Sequence, residues 1–523
     1  MAGSFPAKPD KNSRLSARLG GMTGSSCILG ATFDNSYARE LPGCYVEWPP
    51  VVVPQPRLLF FNHDLADELG LELGGHDEAS LAAVFSGNGL PEGAVPLAQA
   101  YAGHQFGQFS PQLGDGRALL LGEVIDRLGR RRDLAFKGSG PTPFARRGDG
   151  KAALGPMLRE ALLGEAMHAL GVPTTRALAV VGTGEAVQRE KALPGAVLTR
   201  VAASHLRVGS FEYLAARGEI EKLRRLADYT LRRHHPDQLD APDRYLALLQ
   251  ASVQQQAGLV AQWMNLGFIH GVMNTDNMSL AGETLDYGPC AFMETFDPDA
   301  VFSSIDVHGR YAYARQPGIA QWNLARLAEA LLPLWSGRQD EALARASAAL
   351  DKFAVAYRQH RLTSLRVKLG LRSAIQDGDR IDAALADDWL GLLQTRRVDF
   401  TLAWRALADA ADGRPDPLLA LCGNTVETSV WLARWQARCA EESGMTNGPE
   451  RARAMRRVNP RIIPRNHRVE EALTAASDEG DLGPFRALLA ALRQPCDESP
   501  ERRRFAEPAP QGFTTTYRTY CGT

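Results

Sequence analysis

Between residues 105 and 201 the apolar positions come in short runs separated by glycine-rich turns, and beyond residue 211 they recur at helical spacing. Phe106 to Ser110 is short and aromatic, Gln112 to Gly116 reads as a turn, and Arg117 to Ile125 is an apolar run suited to a buried strand. A second turn at 128–132 leads into Asp133 to Gly138, which alternates as a third strand and carries Lys137 at its end. Residues 138–151 hold Pro141, Pro143 and the basic cluster Arg146, Arg147 and Lys151, and read as a loop. A helix follows. Pro156 suits its first turn, Met157, Leu158, Ala161, Leu162, Ala166 and Met167 keep its period, and Gly171 with Pro173 closes it. Arg176 to Val181 and Ala196 to Val201 add two apolar strands, so the pattern predicts a small lobe of about five strands and one helix.

From Phe211 to Ser443 the chain reads as mostly helical, with Tyr245 to Leu266 ending at Gly267 and Asp340 to Tyr357 as its clearest periodic stretches. Past residue 450 come the Arg-rich 451–468 and the Pro-rich 499–511, an extension expected to lie over a neighbouring domain without a core of its own. The expected organisation is therefore a tail (1–30), a lead-in (31–100), a strand-rich lobe (101–210), a helical lobe (211–445) and a C-terminal extension (446–523), an α+β chain of two lobes.

Length and composition narrow the class. A chain of 523 residues with 45% hydrophobic and 23% charged side chains is globular, with room for about three domains. The net charge of −1 gives no global pull toward nucleic acid or anionic membrane, and neither is expected as a partner. No apolar run has the length of a membrane span, and an intracellular, cytoplasmic protein is expected. The Ser- and Gly-rich residues 1–30 read as a tail, with a mitochondrial presequence as the alternative. Seven scattered cysteines without a C-x-x-C pair argue strongly against a disulfide framework or zinc ribbon.

The chemistry concentrates in residues 268–288. His270, then Asn277, then Asp286-Tyr287-Gly288 across a short turn follow the order of the protein-kinase catalytic loop and its metal-binding triplet. A carboxylate and an amide oxygen on either side of a hairpin suit magnesium. Lys137 at the end of the third strand and Glu160 on the next helix stand where a kinase keeps its phosphate-gripping lysine and that lysine's partner. Together these predict a bilobal, protein-kinase-like fold.

Two departures argue against ordinary phosphoryl transfer. Val272 occupies the place of the kinase's aspartate base, while an acid, Asp276, stands just before Asn277. The turn Gly114-Asp115-Gly116-Arg117 puts a guanidinium where a kinase packs phosphates against glycine, and Arg146, Arg147, Arg200 and Arg207 add bidentate phosphate donors. Ordinary surface arginines are the plain alternative, more so for Arg146 and Arg147 than for Arg200 and Arg207, which punctuate an otherwise apolar stretch.

Phe33 to Tyr37, Tyr101 to Gly107, Leu134 to Asp149, Pro173 to Arg176, Ser204 to Gly209 and His270 to Gly288 resemble the selenoprotein O family (SelO, also called YdiU), kinase-fold protein adenylyltransferases. The resemblance implies that ATP binds flipped relative to a kinase, so that AMP passes to a protein hydroxyl and pyrophosphate leaves. It implies nucleotide contacts for Gly114, Gly116, Arg117, Lys137, Asp149, Gly150, Arg200, Arg207 and Asp286. Asn277 and Asp286 would hold Mg2+ or Mn2+, Asp276 would accept the proton, and Glu160 would orient Lys137. The partners expected are proteins with Ser, Thr or Tyr hydroxyls, modified by a monomeric enzyme. UTP in place of ATP, an atypical kinase using Asp276 as base, and a nucleotide-sensing pseudokinase stay open as alternatives. In eukaryotic relatives the position of Cys521 looks to be selenocysteine, and a redox pair between Cys521 and Cys290, just past Gly288-Pro289, is the hypothesis for the tail.

Overall fold

The computed structural model describes residues 30, 32–372, 378–442 and 448–520. Its first half is built on an antiparallel sheet. The strands in chain order are β1 (Tyr45–Glu47), β2 (Arg57–Phe61), β3 (Leu97–Gln99), β4 (Gly103–Gln105), β5 (Gln108–Ser110), β6 (Ala118–Ile125), β7 (Arg131–Lys137), β8 (Ala152–Ala153), β9 (Arg176–Gln188) and β10 (Ala192–Ala202). Eight of them form one sheet in the order β1-β3-β6-β7-β10-β9-β2, with β8 paired to β10.

This enlarges the expected five-stranded lobe, because residues 45–99 contribute strands to both edges: β1 and β3 beside β6, and β2 beside β9. The strand from Arg117 to Ile125 does not pair with the aromatic stretch just before it in the chain. Phe106 and Gly107 adopt left-handed backbone angles (φ 52° and 85°), which close a separate two-stranded ribbon of β4 and β5. It is Leu97 that pairs with Leu120. Strands β9 and β10 run beyond the expected 176–181 and 196–201, since residues 186–188 go on pairing with 192–194 toward the hairpin tip.

Both faces of the sheet are covered, which explains why β6 and β7 read as apolar runs and not as clean alternation. On the back, α2 (His63–Leu69) and α3 (Glu78–Ser86) come from the lead-in, and their Leu65, Leu81 and Phe85 pack with Leu121, Leu134, Phe136 and Val197, while α1 (Ser36–Glu40) buries Tyr37 in the cluster on the other face. The front carries α4 (Leu154–Ala169), in which even Arg159, Glu160 and Glu165 are buried.

Below the sheet lie α5 (Val208–Ala215), α6 (Ile220–His234), α7 (Arg244–Leu266), α8 (Gln316–Leu331) and α9 (Gln339–Lys368). The Asp243 carboxylate accepts from Leu246 N at the start of α7, and Gly267, with φ 72°, ends it. The chain then pairs Phe268–Ile269 with Ala291–Phe292, so the whole of residues 270–290 is presented as one loop system. The C-terminal segment shares the main core: Met455, Ile463, Val469 and Phe485 are buried in it, and Phe485 meets Phe60 of β2 edge-on at 5.9 Å. Among the described residues no helix is long and apolar enough to cross a membrane.

Candidate active site

Register delivers the cationic side chains. Across the β7–β10 pair, Leu198, Arg200 and Ala202 stand opposite Lys137, Ala135 and Asp133. Directly opposed residues share a face of an antiparallel pair, so Lys137, Arg200 and Asp133 all project toward the front. Ala135, opposite Arg200, leaves room for the guanidinium. On α4, Glu160 meets this face and accepts a hydrogen bond from Lys137 Nζ, which also donates to Asp286 Oδ1. Arg200 donates to the same Asp286 oxygen at 2.9 Å and lies 3.7 Å from Glu160. Burial opposes ionisation of Asp286, but Lys137 and Arg200 outweigh it and hold this carboxyl well below its usual range.

These groups open into a cavity of about 610 Å³ between the sheet and the helical half. Its lining includes Gly114, Gly116, Arg117, Lys137, Asp149 and Gly150 from the sheet side. Arg200, Arg207, Asp276, Asn277 and Asp286 complete the set, so every nucleotide- and metal-binding candidate reaches one space. Glu160 stands behind Lys137. Eight Lys and Arg side chains line the cavity against four carboxylates, a balance suited to a polyanion.

Glycine is required here by close approach. A Cβ on Gly114, at φ 78°, would sit 2.4 Å from the Phe144 ring, and one on Gly150 would fall 2.2 Å from the backbone at Gly140. Arg146 and Arg147, exposed at the rim, hold positive φ of 54° and 115°, a strained conformation for side-chain-bearing residues. Asp149 is turned toward the tip of the β9–β10 hairpin, paired with Arg189 at 2.8 Å. Arg207 stacks on Tyr101 at 4.3 Å and reaches Asp115 at 3.4 Å.

The loop of residues 270–290 is braced from within. His270 donates from Nε2 to Leu285 O (2.9 Å) and accepts at Nδ1 from Val272 N (3.4 Å), tying its two arms together. Asn277 donates from Nδ2 to Val272 O at 3.1 Å, which leaves its amide oxygen as an acceptor. Asp286 takes a left-handed φ of 67° that aims its carboxylate into the cavity, and Tyr287 beside it is buried against Thr174. With two oxygen donors on facing arms, this set suits a hard divalent cation. Among the described residues no cluster of three or more His, Cys, Asp or Glu is arranged to hold a metal, so any ion here would complete its shell with phosphate oxygens or water.

Asp276 differs in kind. Its Oδ2 accepts a long 3.4 Å bond from Gln105, and among the described residues its buried Oδ1 has no hydrogen-bond partner. Burial pushes its carboxyl up to about 6. The β4–β5 ribbon lies directly over it, and a Cβ on Gly103 would come within 2.7 Å of Oδ1.

Cys290 does not line the cavity. It is fully buried, donates to Tyr287 O (3.3 Å), and burial raises its thiol to about 12. Thr519 Oγ1 donates to Pro289 O at 2.6 Å, so the C-terminal segment reaches this loop, but Cys521 lies outside the described residues. Sequence reasoning missed Tyr101, Asp115 and Arg189. The first two lie in or beside motifs already singled out. Arg189 had no local signal, because only the extended hairpin carries it to the cavity.

A sheet-and-helix protein with a cation-lined cleft, an ion-paired lysine and two acids on one loop belongs to the class that handles nucleotide phosphates. The sequence model described as "Protein adenylyltransferase SelO" matches residues 28–493. Proteins named protein nucleotidyltransferase YdiU are similar along their whole length. One from Cereibacter sphaeroides is 58% identical over 496 residues, 94% of this chain and 99% of its own. Others from Chromobacterium violaceum (57% over 484 residues, 92% and 100%) and Agrobacterium fabrum (53% over 491 residues, 94% and 99%) agree. The chain belongs to the SelO protein adenylyltransferase family, a family of nucleotidyltransferase enzymes.

Proposed function

We propose that this protein transfers AMP from ATP to a hydroxyl side chain of a protein substrate. The observation that carries the reading is the contrast between a cation-lined cavity and a lone under-bonded carboxylate, Asp276, at its edge. The acceptor oxygen attacks the α-phosphorus, its proton passes to Asp276, and the bond from the α-phosphorus to the bridging oxygen of the β-phosphate breaks. Pyrophosphate leaves with that electron pair. Lys137, Arg200 and Arg207 are fixed in advance by Glu160, Asp286 and Asp115, so their field acts on the departing charge with little rearrangement.

Asn277 and Asp286 would hold Mg2+, which when bound would neutralise phosphate charge. Gly114, Gly116, Arg117, Asp149 and Gly150 would contact the nucleotide from the sheet side. A protein-kinase-like relation of two lobes is part of this reading, supported by Lys137 at a strand end bonded to Glu160 on the following helix. Val272, which cannot take a proton, disfavours a kinase's placement of the base. Serine, threonine or tyrosine as acceptor, ATP over UTP, monomeric action and a cytoplasmic setting belong to the same proposal. So does a redox pair of Cys290 with Cys521, which non-reducing peptide mapping would detect as a cross-linked peptide; free thiols at both sites under oxidation would refute it.

Parallel incubation with α-labelled and γ-labelled ATP tests the main reading. Label retained on protein only from the α position is expected, with an AMP unit gained in intact mass. Retention from the γ position would identify a kinase, and retention from neither a binding protein.

A further inference from the structure

Behind Arg200 lies a second layer of side chains that does not line the cavity. His205, in the turn after β10, is 3% exposed, and Arg200 donates from Nε to its Nε2 at 3.3 Å. On its other side His205 Nδ1 lies 3.0 Å from Asp133 Oδ2, and its backbone N–H donates to the same oxygen at 2.8 Å. Asp133, at the start of β7, is 1% exposed and is paired through Oδ1 with Arg233 of α6. Arg233 also lies 3.4 Å from Glu123, which accepts from Ser36 Oγ (2.8 Å) and Tyr37 N (2.7 Å) in α1.

A neutral imidazole has one donor and one acceptor nitrogen. With Asp133 an acceptor only, Nδ1 carries the hydrogen, and Nε2 is left with the lone pair that Arg200 needs. We propose that His205 is a positioning residue for nucleotide binding: held by Asp133, it takes the Nε–H of Arg200 and so keeps the outer edge of that guanidinium facing the phosphate cavity. This rests on the reading of the cavity as a nucleotide site and adds the residue that orients one of its arginines.

Three observations support it. Arg200 is tethered at two ends, by His205 through Nε and by Asp286 through a terminal nitrogen. If Asp286 turns to a bound cation, the tether at Nε is the one that persists. Arg207 has no such imidazole and is fixed instead by Tyr101 and Asp115, so the two arginines are held by unlike means at comparable burial. Burial, only partly offset by Asp133, also holds the His205 imidazole below its ordinary range, in the neutral form the tether requires.

The test is a double-mutant cycle read by calorimetric titration with ATP, using the full chain as wild type, His205→Leu, Arg200→Met and the double variant. Each single change is expected to weaken ATP binding about tenfold to hundredfold, the range for a hydrogen bond to a charged group, and the double variant to be no weaker than Arg200→Met. Unchanged affinity in His205→Leu, or losses that simply multiply, would overturn the proposal. If Arg200→Met binds ATP as wild type does, the reading of the cavity itself falls, and the tether with it. Nitrogen NMR of histidine-labelled wild-type protein needs no substitution: a bare Nε2 with the hydrogen on Nδ1 is expected for His205, and the opposite tautomer or an imidazolium would refute the arrangement.

Discussion

Asp276 and Asp286 line one cavity from the same loop system and live in opposite surroundings. Asp286 has two cations on one oxygen and is held ionised well below its usual range. Asp276 has a long hydrogen bond from Gln105, a buried oxygen with no partner among the described residues, and a carboxyl raised to about 6. A carboxylate saturated with cations is a poor proton acceptor and a good holder of charge. One left short of partners is the reverse. The fold thus gives two like groups in one site different proton affinities through their neighbours and not through residue type, the arrangement that lets such groups take different roles.

The largest effects should come from exchanging these surroundings. Asp286→Ala is expected to abolish AMP transfer while preserving or tightening ATP binding without divalent metal, because it removes negative charge from the cavity. Loss of metal-free ATP binding in that variant would show that Asp286 does not oppose the phosphates. Asp276→Asn is expected to cut transfer by about 10²–10⁴-fold, the range for a general base, with ATP affinity nearly unchanged. A rate within a few-fold of wild type would remove Asp276 from the chemistry.

A smaller loss is expected from Gly103→Ala. The new Cβ would meet Asp276 Oδ1 at 2.7 Å and Asp276 Cβ at 3.0 Å, so the ribbon or the loop must shift. Transfer should fall about tenfold or more, since small misplacements near the chemistry are costly. Comparison with Asp276→Asn/Gly103→Ala sharpens the point, as the two losses should not multiply if both act through Asp276.

The smallest predicted effect concerns stability at a third acid of the same region. Glu283 accepts from Ala203 N at 2.8 Å, and burial raises its carboxyl from 4.5 to about 7. Between those values the folded protein keeps a proton that the unfolded chain has released, so this group makes stability fall as pH rises through that window. Glu283→Gln should flatten the slope there by at most about 1.4 kcal/mol per pH unit, measured by denaturant titration at several pH values. An unchanged slope would mean that Glu283 ionises normally in the fold.

Much of the site was legible along the chain, for a physical reason. Asn277 and Asp286 sit on one hairpin, Lys137 ends a strand and Glu160 lies on the next helix, so their spacing is set by local geometry. The strand and helix runs at 117–125, 133–138 and 156–170 carry enough apolar periodicity to be read directly. The lead-in was less legible. Strands of three to five residues at 45–47, 57–61 and 97–99 have too little pattern of their own, and they exist because the sheet edges accept them. Phe106 looked like a strand residue because it is aromatic, and it became a turn because Gly107 follows it in a left-handed pair.

The sequence by itself determined which residues could do the chemistry: the acids, the lysine, the arginines and their order. Tertiary structure alone decided the surroundings of each one. Charge state and orientation depend on neighbours within a few ångströms, and those neighbours come from strands and helices far apart in the chain, as with His205 and Asp133 behind Arg200. Two aspartates of one loop system therefore become a cation-held carboxylate and an under-bonded one only once the sheet, α4 and the loop close around them.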